Sequence, residues 1–255
     1  KYLLHEKGIN WFKDILVTKY YRKPIKPLRK EPINKLIDYL GWQKQNNQKW
    51  FVGLPLLSGR LVGEKKLTIR KLVEKYNLDL RLTPNQDVLI CNILNKNKNE
   101  IELELNDIGY ENLDDINEIQ RHALACPALP LCGLAMTEAE RILPNILERI
   151  DNLLKSLNIE KTILFRITGC PNGCSRPYMA ELALVGSGLN KYQLWLGGSK
   201  NLQRLAKPYL QRMPLENMES TLTPLLLEWR KYYLDLDFGD FVDKNEDSFI
   251  LDLLD

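Results

Sequence analysis

The sequence has few histidines and almost no imbalance of charge. Its 255 residues include only His5 and His122, and neither has an acid or a cysteine at a spacing typical of a metal ligand or a general base. Lysine and arginine total 36 against 33 aspartate and glutamate, so the net charge of +3 does not by itself indicate a nucleic acid or an acidic membrane as partner. The sequence therefore favours neither histidine-centred catalysis nor binding through bulk charge.

Long apolar runs are absent as well. No stretch of about eighteen apolar residues occurs, as a membrane-spanning helix would require, and residues 1–7 lack the apolar stretch of a signal peptide. We therefore expect a soluble protein, long enough for one large domain or two modest ones. Because the chain begins with lysine, we expect an upstream region that carries any targeting information.

Cysteine is the most informative residue type in this chain. Five cysteines in a chain of this length do not fit a secreted disulfide framework, because the count is odd and such scaffolds are short. Cys91 lies in an apolar run, where a lone cysteine usually packs as a small hydrophobe. The other four form two close pairs, Cys126-x5-Cys132 and Cys170-x3-Cys174. These pairs indicate reduced thiols that bind a metal centre.

Four thiolates from two segments suit an iron–sulfur cube, and they also suit a structural zinc ion. Zinc sites favour cysteines separated by about two to four residues, so the longer first gap, with Pro127 and Pro130 inside it, fits zinc poorly. In the second pair, Pro171 and Gly173 predict a tight irregular turn whose backbone amides can point at cluster sulfides. The spacing favours the cube and leaves zinc as the alternative.

The hydrophobic pattern predicts a first α+β region with the order β-α-β-β. Its strands are expected at residues 50–57, 78–82 and 88–93, and its helix has an apolar face made by Ile69, Leu72, Val73 and Tyr76. This order favours a small sandwich of helices on one antiparallel sheet. Residues 95–99, rich in lysine and asparagine, are predicted to form a surface turn. A helix over residues 2–21 and a basic linker from Arg22, containing two prolines, precede this region.

A second region follows and contains both cysteine pairs. Thr137 and Glu140 match a capping box, which predicts a helix start, and apolar residues at helical spacing mark residues 142–157. Pro144 either kinks that helix or lies in the first turn of a new one. The remaining predicted elements are strands at residues 162–168, 182–185 and 192–196 and a helix at residues 222–234.

Two segments of this region resemble a known family. Residues 126–141 are CPALPLCGLAMTEAER, and residues 166–181 are RITGCPNGCSRPYMAE. They resemble the sirohaem and [4Fe–4S] signature of the assimilatory sulfite reductases, most closely the ferredoxin-dependent type of cyanobacteria and plastids. The similarity continues through residues 184–186, 194–198 and 238–241 and covers roughly residue 50 to the end of the chain.

The resemblance implies an α+β fold in three parts. Residues 1–45 would be the tail of a preceding domain and a linker, residues 46–110 a ferredoxin-like half-domain, and residues 111–255 the nitrite/sulfite reductase domain that binds the [4Fe–4S] cluster and the sirohaem. The chain would then be the C-terminal half of the enzyme. The missing N-terminal half would carry most of the arginines and lysines that bind sulfite and the sirohaem carboxylates.

The resemblance also implies a set of site residues. All four paired cysteines, Cys126, Cys132, Cys170 and Cys174, would bind the cube, and Cys174 would also bridge a cluster iron to the sirohaem iron as the catalytic residue. Four polar residues, Thr168, Asn172, Asn85 and Gln86, would lie close to the sirohaem. Arg60, Lys65 and Lys66 would either contact cofactor carboxylates or remain solvated.

The activity implied is the six-electron reduction of sulfite to sulfide in sulfur assimilation, with electrons from ferredoxin. Ferredoxin is acidic, so Lys200, Arg204 and Lys207 are candidates for its docking surface. The resemblance implies a cytoplasmic protein in a cyanobacterium or a stromal one in a plastid, with no nucleic-acid or membrane partner. The alternatives are a ferredoxin-dependent nitrite reductase and a non-catalytic module that binds zinc or a cluster through four cysteines.

Overall fold

The structure is a computed structural model that describes residues 2–24, 38–113 and 116–254. It divides into two units, Lys1–Asn34 and Lys35–Asp255. In the first unit, helix α1 (Tyr2–Ile15) continues as a π-helical segment, Leu16–Tyr21. The helix predicted over residues 2–21 is therefore present but interrupted at Gly8, whose φ of 82° and ψ of 165° are not helical. Most of the predicted linker lies outside the described residues.

The second unit begins with a four-stranded antiparallel sheet. The strands are β1 (Gly41–Lys44), β2 (Trp50–Leu54), β3 (Asp79–Leu82) and β4 (Val88–Ile93), in the order β1-β2-β4-β3. Helices α2 (Gly63–Tyr76) and α3 (Lys98–Asn106) pack on this sheet. The core between them includes Val52, Ile90, Leu72 and Ile101, each fully buried. This confirms the α+β fold class and the β-α-β-β order.

A five-stranded mixed sheet follows. After the short helix α4 (Glu118–Arg121), its strands are β5 (Leu124–Ala125), β6 (Phe165–Thr168), β7 (Leu182–Gly188), β8 (Lys191–Leu196) and β9 (Lys207–Pro214). They lie in sequence order; β5, β6 and β7 pair in parallel, and β7, β8 and β9 are antiparallel. Helices α5 (Leu143–Ser156), α6 (Met218–Tyr232), α7 (Phe238–Lys244) and α8 (Asp247–Leu254) contribute to the core on this sheet.

The parallel pair β5 and β6 positions the two cysteine segments. Because neighbouring parallel strands end at the same edge of a sheet, the chain leaves both strands in the same direction. Ala125 lies opposite Ile167, so Cys126 follows one strand beside the end of the other. The Cys126 amide donates to the Ile167 carbonyl at 3.4 Å, and Cys170 comes two residues after β6 ends.

Two local predictions are wrong. Thr137 does not cap a helix, because its buried hydroxyl donates to Tyr192 Oη at 3.1 Å and accepts from the Asn190 amide at 3.2 Å. Helix α5 begins at Leu143 with Pro144 in its first turn, where the missing N–H costs nothing. The predicted turn at residues 95–99 is only a short 3-10 turn that leads directly into α3.

Candidate four-cysteine site

The first cysteine receives two hydrogen bonds on its sulfur. The Thr168 hydroxyl donates to Cys126 Sγ at 3.3 Å, and the Gly169 amide donates to the same sulfur at 3.2 Å. Both donors come from the end of β6, and the Cys126 side chain is buried. These two donors fix the position of the Cys126 sulfur beside the end of β6.

Glycines allow the two cysteine segments to approach closely. A Cβ added to Gly169 would lie 2.6 Å from Ala128 Cβ and 2.9 Å from the Thr137 carbonyl oxygen. A Cβ added to Gly186 on β7 would lie 2.2 Å from the Gly169 carbonyl oxygen. That carbonyl accepts from the Met136 amide at 2.8 Å. The backbone at Gly169 is therefore enclosed on both sides and linked to the first cysteine segment.

The second cysteine segment is a tight turn held by side chains. The Ser175 hydroxyl donates to the Ile167 carbonyl at 2.7 Å, and the Tyr178 hydroxyl donates to the Pro171 carbonyl at 2.6 Å. Gly173 has a φ of 69°, and an added Cβ would lie 2.6 Å from the Tyr178 ring. This turn matches the irregular geometry that Pro171 and Gly173 predict.

The four cysteines differ in exposure and influence one another. Cys126 and Cys170 are buried, Cys132 is half-buried and Cys174 is exposed. The pKa of Cys174 is raised, first by partial desolvation and then by the negative charge of the other three thiolates. Negative charge on the other three cysteines thus disfavours the Cys174 thiolate, and a bound cation would relieve that effect.

The arrangement does not match a single-ion site. No group of three or more His, Cys, Asp or Glu residues within residues 2–24, 38–113 and 116–254 is arranged to hold a metal ion. A zinc site would need four sulfurs about 2.3 Å from one point. An iron–sulfur cube takes one thiolate at each of its irons. Four thiols on two adjoining segments are the kind and number of donors that such a cluster requires.

The turn between β3 and β4 brings one predicted polar residue to this site. Gln86 Nε2 donates at 3.0 Å to the carbonyl of Ala125, the residue before Cys126, while Gln86 Oε1 is buried and has no hydrogen-bond partner among the described residues. Asn85 lines a neighbouring cleft of about 640 Å³. Asn172 is exposed within the second cysteine turn. The structure thus brings Thr168, Asn172 and Gln86 to the cysteine segments and places Asn85 beside them.

Sequence reasoning missed the partners of several charged residues. Arg60 binds Glu140 through two nitrogens, and Nη2 lies 2.8 Å from Oε2. The Lys65 ammonium lies 4.4 Å from the centre of the Tyr110 ring, and Lys66 is exposed. Arg166 on β6 is fully buried. The spacing of these residues in the sequence gives no signal for their contacts.

The candidate docking residues are largely paired with acids. Arg204 donates to Asp240 at 2.6 Å, and its other terminal nitrogen lies 3.3 Å from Asp243. Lys207 lies 3.2 Å from Asp247. These aspartates reduce the positive field that would attract an acidic protein.

Within the described ranges, no helix has the length and apolar character needed to cross a membrane.

Comparisons with known proteins agree on one family. Residues 43–118 match the nitrite/sulfite reductase ferredoxin-like half domain. The chain is 44% identical over 250 residues to the ferredoxin-type sulfite reductase of Synechococcus elongatus, covering 96% of this chain and 40% of the relative. It is 36% identical over 248 residues to the NADPH-type sulfite reductase haemoprotein β-component of Myxococcus xanthus, covering 95% of this chain and 44% of the relative.

A solved structure shares the fold. The NirA protein of Mycobacterium tuberculosis superimposes with a TM-score of 0.75 and 22% sequence identity, over 98% of this chain and 48% of that protein. The chain therefore spans less than half the length of these relatives. Residues 43–118 thus belong to the ferredoxin-like half-domain family of nitrite and sulfite reductases, and nearly the whole chain is similar in sequence to parts of sulfite reductases.

Proposed function

We propose that this chain is the C-terminal part of an assimilatory sulfite reductase and holds its [4Fe–4S] cluster and part of its sirohaem site. The whole protein would reduce sulfite to sulfide with electrons from ferredoxin. The observation that carries the proposal is that the adjacent parallel strands β5 and β6 bring the two cysteine segments side by side, so that Thr168 and Gly169, just before Cys170, donate to the Cys126 sulfur. The relative from Synechococcus elongatus, a ferredoxin-type sulfite reductase, supports the choice of donor and substrate.

The residues of the chain would have separate tasks. Cys126, Cys132, Cys170 and Cys174 would bind the cluster. Cys174 is the most exposed of the four, which supports its proposed second role as the bridge to the sirohaem iron. When bound, the two groups would transfer electrons from the donor to the substrate.

The polar residues would stabilise and orient this site. Thr168 and the Gly169 amide would stabilise negative charge on Cys126, because both donate to its sulfur. Gln86 would hold the backbone before Cys126 through its bond to Ala125, with its unpartnered oxygen available to a cofactor group. Asn172 would contact the sirohaem from the exposed cysteine turn. Asn85 would act from the neighbouring cleft.

Sulfite binding would require more than this chain. Because the chain spans less than half the length of its relatives, we place the arginines and lysines that bind the anion in the part of those proteins that it does not match.

Reduction of nitrite by the same site is the second candidate, since the matched half domain is shared by nitrite and sulfite reductases. Steady-state rates of the whole protein with each anion distinguish the two, and faster turnover of nitrite would contradict our choice.

The metal content of the chain tests the proposal directly. The full chain, purified without oxygen, should contain about four iron and four acid-labile sulfide ions and absorb visible light. Serine at any one of the four paired cysteines should lower the iron content sharply. Cys91→Ser is the matched control, because Cys91 is a buried cysteine on β4 and should leave iron unchanged. A colourless chain that contains zinc would refute the proposal.

A further inference from the structure

A positively charged side chain is buried on the strand that leads to the second cysteine pair. Arg166 lies on β6 and is fully buried. Its Nη1 donates to the carbonyl of Arg176 at 3.1 Å, whereas Nε and Nη2 have no hydrogen-bond partner among the described residues. No carboxylate of the described ranges forms an ion pair with it. Such a cation is strongly unfavourable in a protein interior unless a negative charge compensates it.

The charged group that most affects Arg166 is another cation. Burial and, to a lesser extent, the positive charge of Arg176 together lower the pKa of Arg166 to about 10. Arg176 donates at 2.5 Å to the carbonyl of Pro84, in the turn that contains Gln86. The two guanidinium groups therefore bring positive charge to the same place, and the compensating negative charge must come from another source.

The location of Arg166 identifies that source. Phe165 and Ile167 belong to the main core, and because successive side chains of a strand alternate between faces, Arg166 shares the opposite face with Thr168. Thr168 contacts the sulfur of Cys126. The carbonyl that Arg166 binds belongs to Arg176, two residues after Cys174. Arg166 is thus connected to both cysteine segments, one through its strand and one through its side chain.

We propose that Arg166 is a positioning residue that supplies buried positive charge to the four-cysteine site and raises the reduction potential of the iron–sulfur centre bound there. This inference rests on the proposed function. A cluster bound by four thiolates is anionic, and reduction adds one more negative charge. A buried cation stabilises the reduced form more than the oxidised form, because charges interact strongly where the effective dielectric constant is low.

Replacing Arg166 and measuring the potential of the centre tests this inference. Arg166→Met removes the charge, whereas Arg166→Lys keeps it. At the midpoint potential of the unaltered chain, we expect a roughly tenfold lower ratio of reduced to oxidised cluster in Arg166→Met, equivalent to about 59 mV for one electron. Arg166→Lys should stay within about threefold, or about 30 mV. An anaerobic redox titration followed by electron paramagnetic resonance gives the ratio.

The matched control is an arginine outside the site that, like Arg166, binds a backbone carbonyl. Arg230 on α6 is exposed and donates to the Leu157 carbonyl at 2.9 Å, so Arg230→Met should leave the potential unchanged. An iron-containing Arg166→Met variant with an unaltered potential would overturn the inference and leave the proposed function standing. Absence of iron and sulfide from the unaltered chain would instead refute the proposed function.

The test remains decisive if Arg166→Met loses its iron. Arg166→Gln, which is neutral and can still donate to the Arg176 carbonyl, then takes its place in the titration. If both neutral variants lose iron and Arg166→Lys retains it, the result would support the inference. The charge at residue 166 would then decide whether the iron–sulfur centre binds. Loss from all three variants would contradict it.

Discussion

Arg60 and Glu140 form an ion pair that joins the region of the four-stranded sheet to the cysteine site. Two guanidinium nitrogens of Arg60 meet the two carboxylate oxygens of Glu140, with Nη2 and Oε2 2.8 Å apart. The backbone amide of Glu140 donates to the carbonyl of Cys126 at 3.2 Å. The pair thus anchors the turn before α2 to the backbone segment that contains Cys126.

The first prediction concerns this link. Glu140→Gln should accelerate loss of iron to a chelator, because the segment around Cys126 loses its tie to Arg60. The pair Arg70 and Glu74 provides the control, since it lies within α2, is exposed and joins no two regions. Glu74→Gln should leave the rate of iron loss unchanged. Equal rates in Glu140→Gln and the unaltered chain would show that the ion pair does not support the site.

The second prediction concerns the glycine between Thr168 and Cys170. Gly169→Ala should lower the free energy of unfolding by about 1–3 kcal/mol and remove most of the iron, because the new Cβ meets Ala128 and the Thr137 carbonyl. Gly133→Ala is the control, since nothing lies within 4 Å of a Cβ at Gly133. Urea unfolding and iron analysis measure the two effects. Similar results for the two variants would contradict the close packing at Gly169.

The third prediction concerns the tyrosine under the second cysteine turn. Tyr178→Phe removes the donor to the Pro171 carbonyl but keeps the ring that packs on Gly173 and Trp195. We expect a loss of about 1 kcal/mol in the free energy of unfolding and faster bleaching of the cluster in air. Tyr209→Phe, which removes a hydroxyl bound to Asp247, should bleach at the original rate. No difference between the two variants would argue against the role of Tyr178.

The fourth prediction is a pH dependence of stability. Burial raises the pKa of Glu181 from 4.5 to about 7, although its carboxylate accepts from the Gly239 and Leu164 amides at 2.9 and 2.8 Å. The folded state therefore holds a proton that the unfolded state releases. The stabilising contribution is complete below pH 4.5 and is lost as pH rises through about 7. The full loss is about 3 kcal/mol.

Substitution by glutamine separates this contribution from others. Glu181→Gln cannot ionise, so its free energy of unfolding should fall less than that of the unaltered chain between pH 4.5 and 7.5. Asp87, whose pKa is also raised to about 7 by burial, adds to the same slope, and Asp87→Asn measures its share. Denaturant unfolding at several pH values gives the slopes. An unchanged slope in Glu181→Gln would refute the assignment.

Much of the fold could be predicted from local patterns. The apolar positions of α5, including Ile146, Ile150 and Leu154, recur at helical spacing and are buried. Strand β6 alternates apolar with polar residues, as a strand does, and leads to Cys170. Helix α3 was missed because the lysines and asparagines of residues 95–99, where it begins, resemble a turn, and because only two of its apolar residues, Ile101 and Leu105, are buried. Strand β9 was missed because prolines and charged residues make it resemble a loop.

The sequence by itself determined which residues are the candidate metal ligands, since the type and spacing of the four paired cysteines are local properties. Tertiary structure decided the environment of each residue. It buries Cys126 and exposes Cys174, binds the Thr137 hydroxyl to Tyr192 rather than to a helix end, and leaves Arg166 buried without a carboxylate. These outcomes depend on contacts between residues distant in sequence, such as Cys126 and Thr168, which form only when β5 and β6 pair.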